Sequence, residues 1–216
     1  LFGTLLFSTL LFGTLLFGSL LFGSLSLGSR RRRVLGLGWS QEATMHIGIF
    51  TEDHFDDREF IYPYYRVQEA GFEPLVIGPE VKAYRSKEGL EVEAEAAAAE
   101  VKADELAGLI VPGGYAPDRM RRHPAMLEIV RTVDAAKRPL GSICHAGWVL
   151  ISARVVKGRR LTGHPSTRDD LENAGAHYHE DRIVTDGNLV TAQHYRDLPG
   201  FMAAYLEVLG RGPGQV

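Results

Sequence analysis

From position 45 onward, short apolar runs alternate with longer stretches in which apolar residues recur every three or four positions. HIGIFT (46–51), EPLVIG (73–78), GLIVPGG (108–114) and PLGSIC (139–144) are runs suited to buried strands. EFIYPYYRVQEAG (59–71) reads as a helix with Gly71 as its stop, and Pro63 predicts an early kink or a late start. In 123–139, Met126, Ile129, Val130 and Val133 fall at i, i+3, i+4 and i+7, the face of a buried helix. AGWVLISARVV continues as helix from the fourth strand, and 167–174 reads as a short helix stopped by Gly175. DRIVTDGNLVTA (181–192) reads as a hairpin with Asp186-Gly187 at its turn. LPGFMAAYLEVLG (198–210) is a closing helix with Leu198, Met202, Tyr205 and Leu209 on one face. EVEAEAAAAEVKADEL (91–106) is ambiguous: its alanines favour helix while EVEAEA alternates, so a strand followed by a short helix is expected.

Strands alternating with helices predict an α/β domain with a mostly parallel sheet covered on both faces. Ligands bind such sheets beyond the carboxyl ends of the strands. Two segments end there with suggestive chemistry, PGG at 112–114 and CHAG at 144–147.

The first 44 residues follow a different rule. LFGTL, LFSTL, LFGTL, LFGSL and LFGSL repeat with a period of five, and Arg30 to Arg33 follow. Five matches neither the helix nor the strand period. The run is apolar enough to span a bilayer, with the arginines holding the next segment on the cytoplasmic side. It lacks the basic start and small-residue cleavage site of a signal peptide. The expected organisation is a low-complexity repeat over 1–44 outside the working protein, a domain over 45–210 starting at Met45, and a tail over 211–216.

Composition narrows the classes. The chain has 216 residues, 45% hydrophobic and 24% charged, as one globular domain requires. A single cysteine excludes an internal disulfide and a multi-cysteine zinc site. Four arginines against one glutamate give residues 1–44 a charge of +3, so the remainder carries −6 of the net −3. An acidic domain without basic stripes is a poor nucleic-acid binder. His177 and His179 alternate on a strand, but two histidines without a third ligand predict no metal.

The chemistry concentrates on Cys144. A strand turning sharply into a helix exposes a side chain above the sheet, as in a nucleophile elbow. The N–H groups and dipole of a helix start favour a thiolate, and such cysteines ionise at about 3.5–7.5. The N–H of His145 and a second from Gly114 would face a developing oxyanion. The bland alternatives are a small buried cysteine, a solvent-facing His145 and an ordinary Gly113-Gly114 turn.

AGLIVPGGYAPDRMR, RPLGSICHAGWVLISARVVKGRRLTG, RDDLENAGA and VTDGNLVTA together resemble the PfpI family, the intracellular cysteine peptidase and parkinsonism-associated deglycase group of the class I glutamine amidotransferase-like superfamily. The resemblance runs from about 46 to 209. It implies a flavodoxin-like three-layer α/β sandwich, no cofactor, a cytoplasmic location, and a homodimer or hexamer with the site at the subunit interface. It makes Cys144 the nucleophile. The family pattern Phe-Glu-Asp-x-Glu matches Phe55-Asp56-Asp57-Arg58-Glu59, so Asp56 stands for the carboxylate that contacts the cysteine, one methylene shorter; Glu52, Asp53 and Asp57 are alternatives. It implies His145 as a base oriented by Asp118 of a neighbouring subunit, where Asp118 also reads as a helix N-cap. Gly113, Tyr115 and His164 are the implied substrate contacts, His164 also a candidate second base. In QHYRDLP (193–199), Gln193 and Tyr195 replace the usual Arg and Pro.

The leading expectation is a stress-protective enzyme acting on 2-oxoaldehydes such as methylglyoxal, or on glycated protein or peptide adducts. The alternatives are an intracellular cysteine peptidase and a redox sensor in which Cys144 is oxidised without turnover. Glutamine amide hydrolysis ranks below these, because HYHED (177–181) is misplaced for the partner pair it requires.

Overall fold

The computed structural model describes residues 45–211, so the expectations for the N-terminal repeat and the tail lie outside the described residues. In chain order the elements are β1 (His46–Phe50), α1 (Asp57–Glu69), β2 (Glu73–Gly78), β3 (Ala83–Arg85), β4 (Glu91–Glu93), β5 (Ala96–Ala97) and β6 (Leu106–Val111). They continue with α2 (Ala116–Met120), α3 (Pro124–Ala135), β7 (Leu140–Ile143), α4 (Gly147–Ala153), β8 (Arg160–Leu161) and α5 (Arg168–Asn173). The chain closes with β9 (His177–Tyr178), β10 (Ile183–Asp186), β11 (Leu189–Ala192) and α6 (Leu198–Arg211).

The central sheet has seven strands in the order β10-β11-β7-β6-β1-β2-β5. All neighbours are parallel except β10, which returns antiparallel to β11. Helices α1 and α6 pack together on one side of the sheet, and α3 packs with α4 on the other. The fold is the three-layer α/β sandwich that the alternating pattern predicts. Strand β6 is buried at all six positions, as a strand covered on both faces must be. Met126, Ile129, Val130 and Val133 are the buried residues of α3, and Leu198, Met202, Tyr205 and Leu209 are buried in α6.

Three local expectations are corrected. The alanine-rich stretch after β4 forms no α-helix. Ala96 and Ala97 pair with Ile77 and Gly78 as an edge strand, and only a 3-10 turn follows at Ala103–Glu105. Tertiary fit overrides alanine's propensity here: Ala94 and Ala98 are buried, and the Glu95 carboxylate accepts the Val76 N–H at 2.8 Å. The hairpin turn lies at Gly187-Asn188, since Asp186 still pairs with Leu189. Pro63 does not delay α1; the helix starts earlier, at Asp57, under an N-cap from Asp56, and runs through Pro63 to Glu69.

From β1 the chain steps to β2 on one side, and β6 and β7 lie on the other. The sheet therefore changes direction between β1 and β6, where a crevice opens beyond the strands' carboxyl ends. The loops after β1 and β6 meet in that crevice. Phe55 and Gly114 form an isolated antiparallel bridge, and the Tyr115 N–H donates to the His54 carbonyl at 2.9 Å.

Candidate active site

Cys144 is the first residue after β7, with φ of +60°. That left-handed backbone is uncommon for a side chain with a Cβ and turns the thiol out of the strand into the crevice. A 3-10 turn over Cys144–Ala146 then leads into α4. The Cys144 carbonyl accepts the His164 N–H at 3.0 Å, which fixes the loop after β8 above the turn. The residue is 8% exposed. It lines a cavity of about 580 Å³ with Glu59, Lys87, Gly114, Tyr115, His145, His164, His194 and Tyr195.

The carboxyl group beside the thiol is Glu59, and this corrects the expectation for Asp56. Asp56 is the N-cap of α1: its carboxylate accepts the Arg58 and Glu59 N–H groups, the Arg58 guanidinium and Lys87 Nζ at 2.6 Å. Burial alone would raise it, but Arg58 and Lys87 outweigh burial and hold it at about 2. Asp56 is thus a fixed anion whose hydrogen-bonding capacity is spent on its own helix and Lys87. The alternatives are engaged elsewhere: Glu52 faces His123 at 3.4 Å, Asp53 accepts the Arg85 N–H, and Asp57 accepts the Ser86 hydroxyl.

Glu59 lies in the first turn of α1, on the same buried face as Pro63 and Val67, and is fully buried. Its Oε2 accepts the Gly113 N–H at 2.9 Å, while Oε1 has no partner of regular geometry. Burial, then the Asp56 charge, raise its pKa to about 7, against the pull of the Gly113 N–H and the Cys144 thiol. The signal for Glu59 was present in the sequence as a carboxylate at helical spacing from apolar residues, on a face that must go inward.

Gly113 is the spacer of this pair. A Cβ built there would meet Glu59 Oε2 at 2.6 Å, the Cys144 Cβ at 2.7 Å and the Ile143 carbonyl at 2.9 Å, so only glycine fits. Its N–H donates to Glu59 Oε2 and so ties the glycine loop to α1. Gly114 adopts φ of +79°, and its N–H and that of His145 both face the Cys144 sulfur.

The thiol does not have the low pKa expected of a helix start. Burial first, and the Glu59 carboxylate second, push it up to about 12, although the two N–H groups act the other way. The short 3-10 turn adds too little dipole to offset desolvation. Glu59 and Cys144 are therefore coupled: near pH 7 the thiol keeps its proton while the carboxyl group is close to half protonated.

His145 places Nδ1 3.1 Å from the Cys144 sulfur and Nε2 3.1 Å from the Ser166 hydroxyl. Burial, then His164 and Lys87, lower it to about 4, so it is neutral at pH 7. Its ring stacks on His164 at 4.4 Å. His194, passed over in the sequence, lines the same cavity, 6.5 Å from the His164 ring and 3.9 Å from the tilted Tyr195 ring. Tyr115 is 70% exposed at the cavity rim. Asp118 is not an N-cap: Tyr115 holds that position and Asp118 lies in the first turn of α2. It lines a separate cavity of about 550 Å³ with His54, Arg119 and Trp148. His177 lies on β9, and His179 faces Asp181 at 3.7 Å. Among the described residues, no group of three or more His, Cys, Asp or Glu is placed to hold a metal ion.

A model of the DJ-1/PfpI family matches residues 45–208. The chain belongs to the DJ-1/PfpI family. Among DJ-1/PfpI relatives, Deglycase PfpI of Pyrococcus furiosus is 37% identical over 165 residues, 76% of this chain and 99% of that one. YraA of Bacillus subtilis, named a candidate cysteine protease, is 34% identical over 164 residues, 76% of this chain and 97% of the relative. A crystal structure from Anabaena variabilis, with DJ-1/ThiJ/PfpI-like and ferritin-like domains, is 35% identical with a TM-score of 0.75. It matches 77% of this chain, which spans 48% of that two-domain protein. The matched range coincides with the domain that carries the sheet and the Cys144 crevice, and among the described residues no helix is long and apolar enough to cross a membrane.

Proposed function

We propose that the chain is a stress-protective, cysteine-dependent enzyme that acts on 2-oxoaldehydes such as methylglyoxal or on their early protein adducts. The observation that carries this reading is the buried Glu59–Cys144 pair beside a neutral His145. The chemistry needs a nucleophile, an acid–base group with a value near 7 and a separate neutral base in a small polar cavity. A relative bearing the name deglycase supports the same class.

As the sulfur bonds to the aldehyde carbon, Glu59 takes the thiol proton. The carbonyl oxygen becomes an alkoxide held by the Gly114 and His145 N–H groups, and it is protonated to a hemithioacetal. His145 Nδ1 removes the proton on that carbon, giving an enediol. Reprotonation at the neighbouring carbon yields a lactoyl thioester. Water then cleaves the carbon–sulfur bond, releasing lactate and restoring the thiol. The sum is methylglyoxal plus water to lactate, with no external oxidant or reductant. Lactate formation by the full chain, measured beside Cys144→Ala, tests the reading. Lactate from the wild type alone is expected; equal turnover by the variant would refute Cys144 as nucleophile.

The 3.1 Å contact between His145 Nδ1 and the sulfur favours a second reading, a cysteine peptidase forming an acyl-enzyme on Cys144. In that reading Asp118 of a second copy orients His145 across a subunit interface. Release of fluorophore from short peptide substrates without lactate formation would select it. Neither product, together with a stoichiometric mass gain of Cys144 under peroxide, would select the redox sensor.

A further inference from the structure

We propose that Ser166 is the positioning residue of this site, fixing His145 in the tautomer whose Nδ1 lone pair faces the Cys144 thiol. The argument begins with a backbone hydrogen bond. His164 caps the 3-10 turn Pro165–Thr167, and its Nδ1 accepts the Ser166 N–H at 3.3 Å. An amide N–H cannot reverse its role, so His164 Nδ1 carries a lone pair. The Ser166 hydroxyl lies 2.8 Å from that same nitrogen and must donate to it. With its one proton spent, Ser166 Oγ can only accept from His145 Nε2 at 3.1 Å. His145 therefore bears its proton on Nε2. Because the ring is neutral at pH 7, Nδ1 is left as an acceptor, 3.1 Å from the sulfur.

The direction of four contacts thus follows from one peptide group. Ser166 holds His145 within a single chain, the part the family resemblance gave to Asp118 of a neighbour. Within one chain both ring nitrogens are engaged, Nδ1 toward the thiol and Nε2 toward Ser166, so Asp118 of a neighbour would have to displace one of these contacts. The proposal concerns how the neighbour of the nucleophile is held and stands whichever carbonyl compound Cys144 attacks. Its test accordingly uses no natural substrate.

The test is ¹⁵N NMR of the full chain labelled at histidine, combined with the rate of Cys144 alkylation by iodoacetamide. The expected result is an Nε2–H tautomer for both His145 and His164 in the wild type. Alkylation should fall about five- to tenfold in Ser166→Ala, the worth of one neutral hydrogen bond. Ser166→Thr, which keeps the hydroxyl, should stay within about twofold of wild type. An Nδ1–H tautomer at His145 in the wild type would overturn the proposal without any variant. So would alkylation unchanged in Ser166→Ala, or equal losses in the alanine and threonine variants, which would mark a merely steric role.

Discussion

The two ends of strand β7 show how differently one fold treats its buried polar groups. At the amino end, Asn188 is 1% exposed and fully paired: Nδ2 donates to Asp134 and to the Arg138 carbonyl, and its oxygen accepts from Arg159. Arg159 also holds Asp134 at 2.8 Å and the Asp186 carbonyl. At the carboxyl end, Glu59 keeps one oxygen without a regular partner, Cys144 sits in a left-handed conformation, and His145 is held neutral. The satisfied cluster ties β7, β11 and α3 together. The unsatisfied one stores the proton-binding capacity that a reaction can draw on.

This contrast can be broken most sharply at Glu59. Glu59→Gln keeps the shape and an acceptor for the Gly113 N–H but removes the titrating group. Turnover should fall about 10²–10⁴-fold, measured as kcat/KM; a variant of near wild-type activity would remove Glu59 from the chemistry. Stability should move the other way. Glu59 ionises at about 7 in the folded chain against 4.5 ordinarily, so its contribution is full below 4.5 and is lost as pH rises through 7. His145, held at about 4 against 6.5, has the opposite sign: its contribution is present above 6.5 and is lost as pH falls toward 4. Between these limits the two slopes oppose each other in the wild type. Denaturant titrations from pH 4.5 to 7.5 should show Glu59→Gln gaining on the wild type with rising pH, by about 3 kcal/mol in all.

A smaller effect is expected where the pair is spaced. Gly113→Ala drives a methyl group against the Glu59 and Cys144 side chains, costing about 1–3 kcal/mol. It should also lower turnover about 10²-fold, the usual cost of an ångström-scale misplacement; thermal melts and kinetics on one preparation would separate the two. The amino-terminal cluster should give the complementary result. Asn188→Ala should cost about 2–3 kcal/mol of stability and leave kcat/KM unchanged. A loss of activity at constant substrate affinity would show that the two ends are coupled.

Legibility from the sequence followed the range of the cause. The faces of α3 and α6 were readable because helical periodicity is local, and Met126 or Tyr205 sits inward for the same reason in isolation as in the fold. The strand after Glu93 was misread because Ala96 and Ala97 are placed by the distant partners Ile77 and Gly78. Position in the chain was enough to mark Cys144 and the glycine loop as lying beyond the sheet. The carboxyl group was misassigned because Asp56 and Glu59 lie three residues apart and both are buried: Asp56 spends its carboxylate capping its own helix, while Glu59 shares the inward face of Pro63 and Val67. The contacts of Ser166 with His145 and His164 join residues that no periodicity links, and they depend on where the loop after β8 lies in the fold.

The left-handed backbone at Cys144 bears on how the family can change over time. Such a conformation costs a side chain with a Cβ about 1 kcal/mol or more, and glycine would relieve it at once. At this one position heat tolerance and chemistry pull in opposite directions. A lineage selected for durability alone, or a laboratory library screened only for melting temperature, should discard the thiol early and keep the fold. Retention of a cysteine here under such selection would itself be evidence that its chemistry is in use.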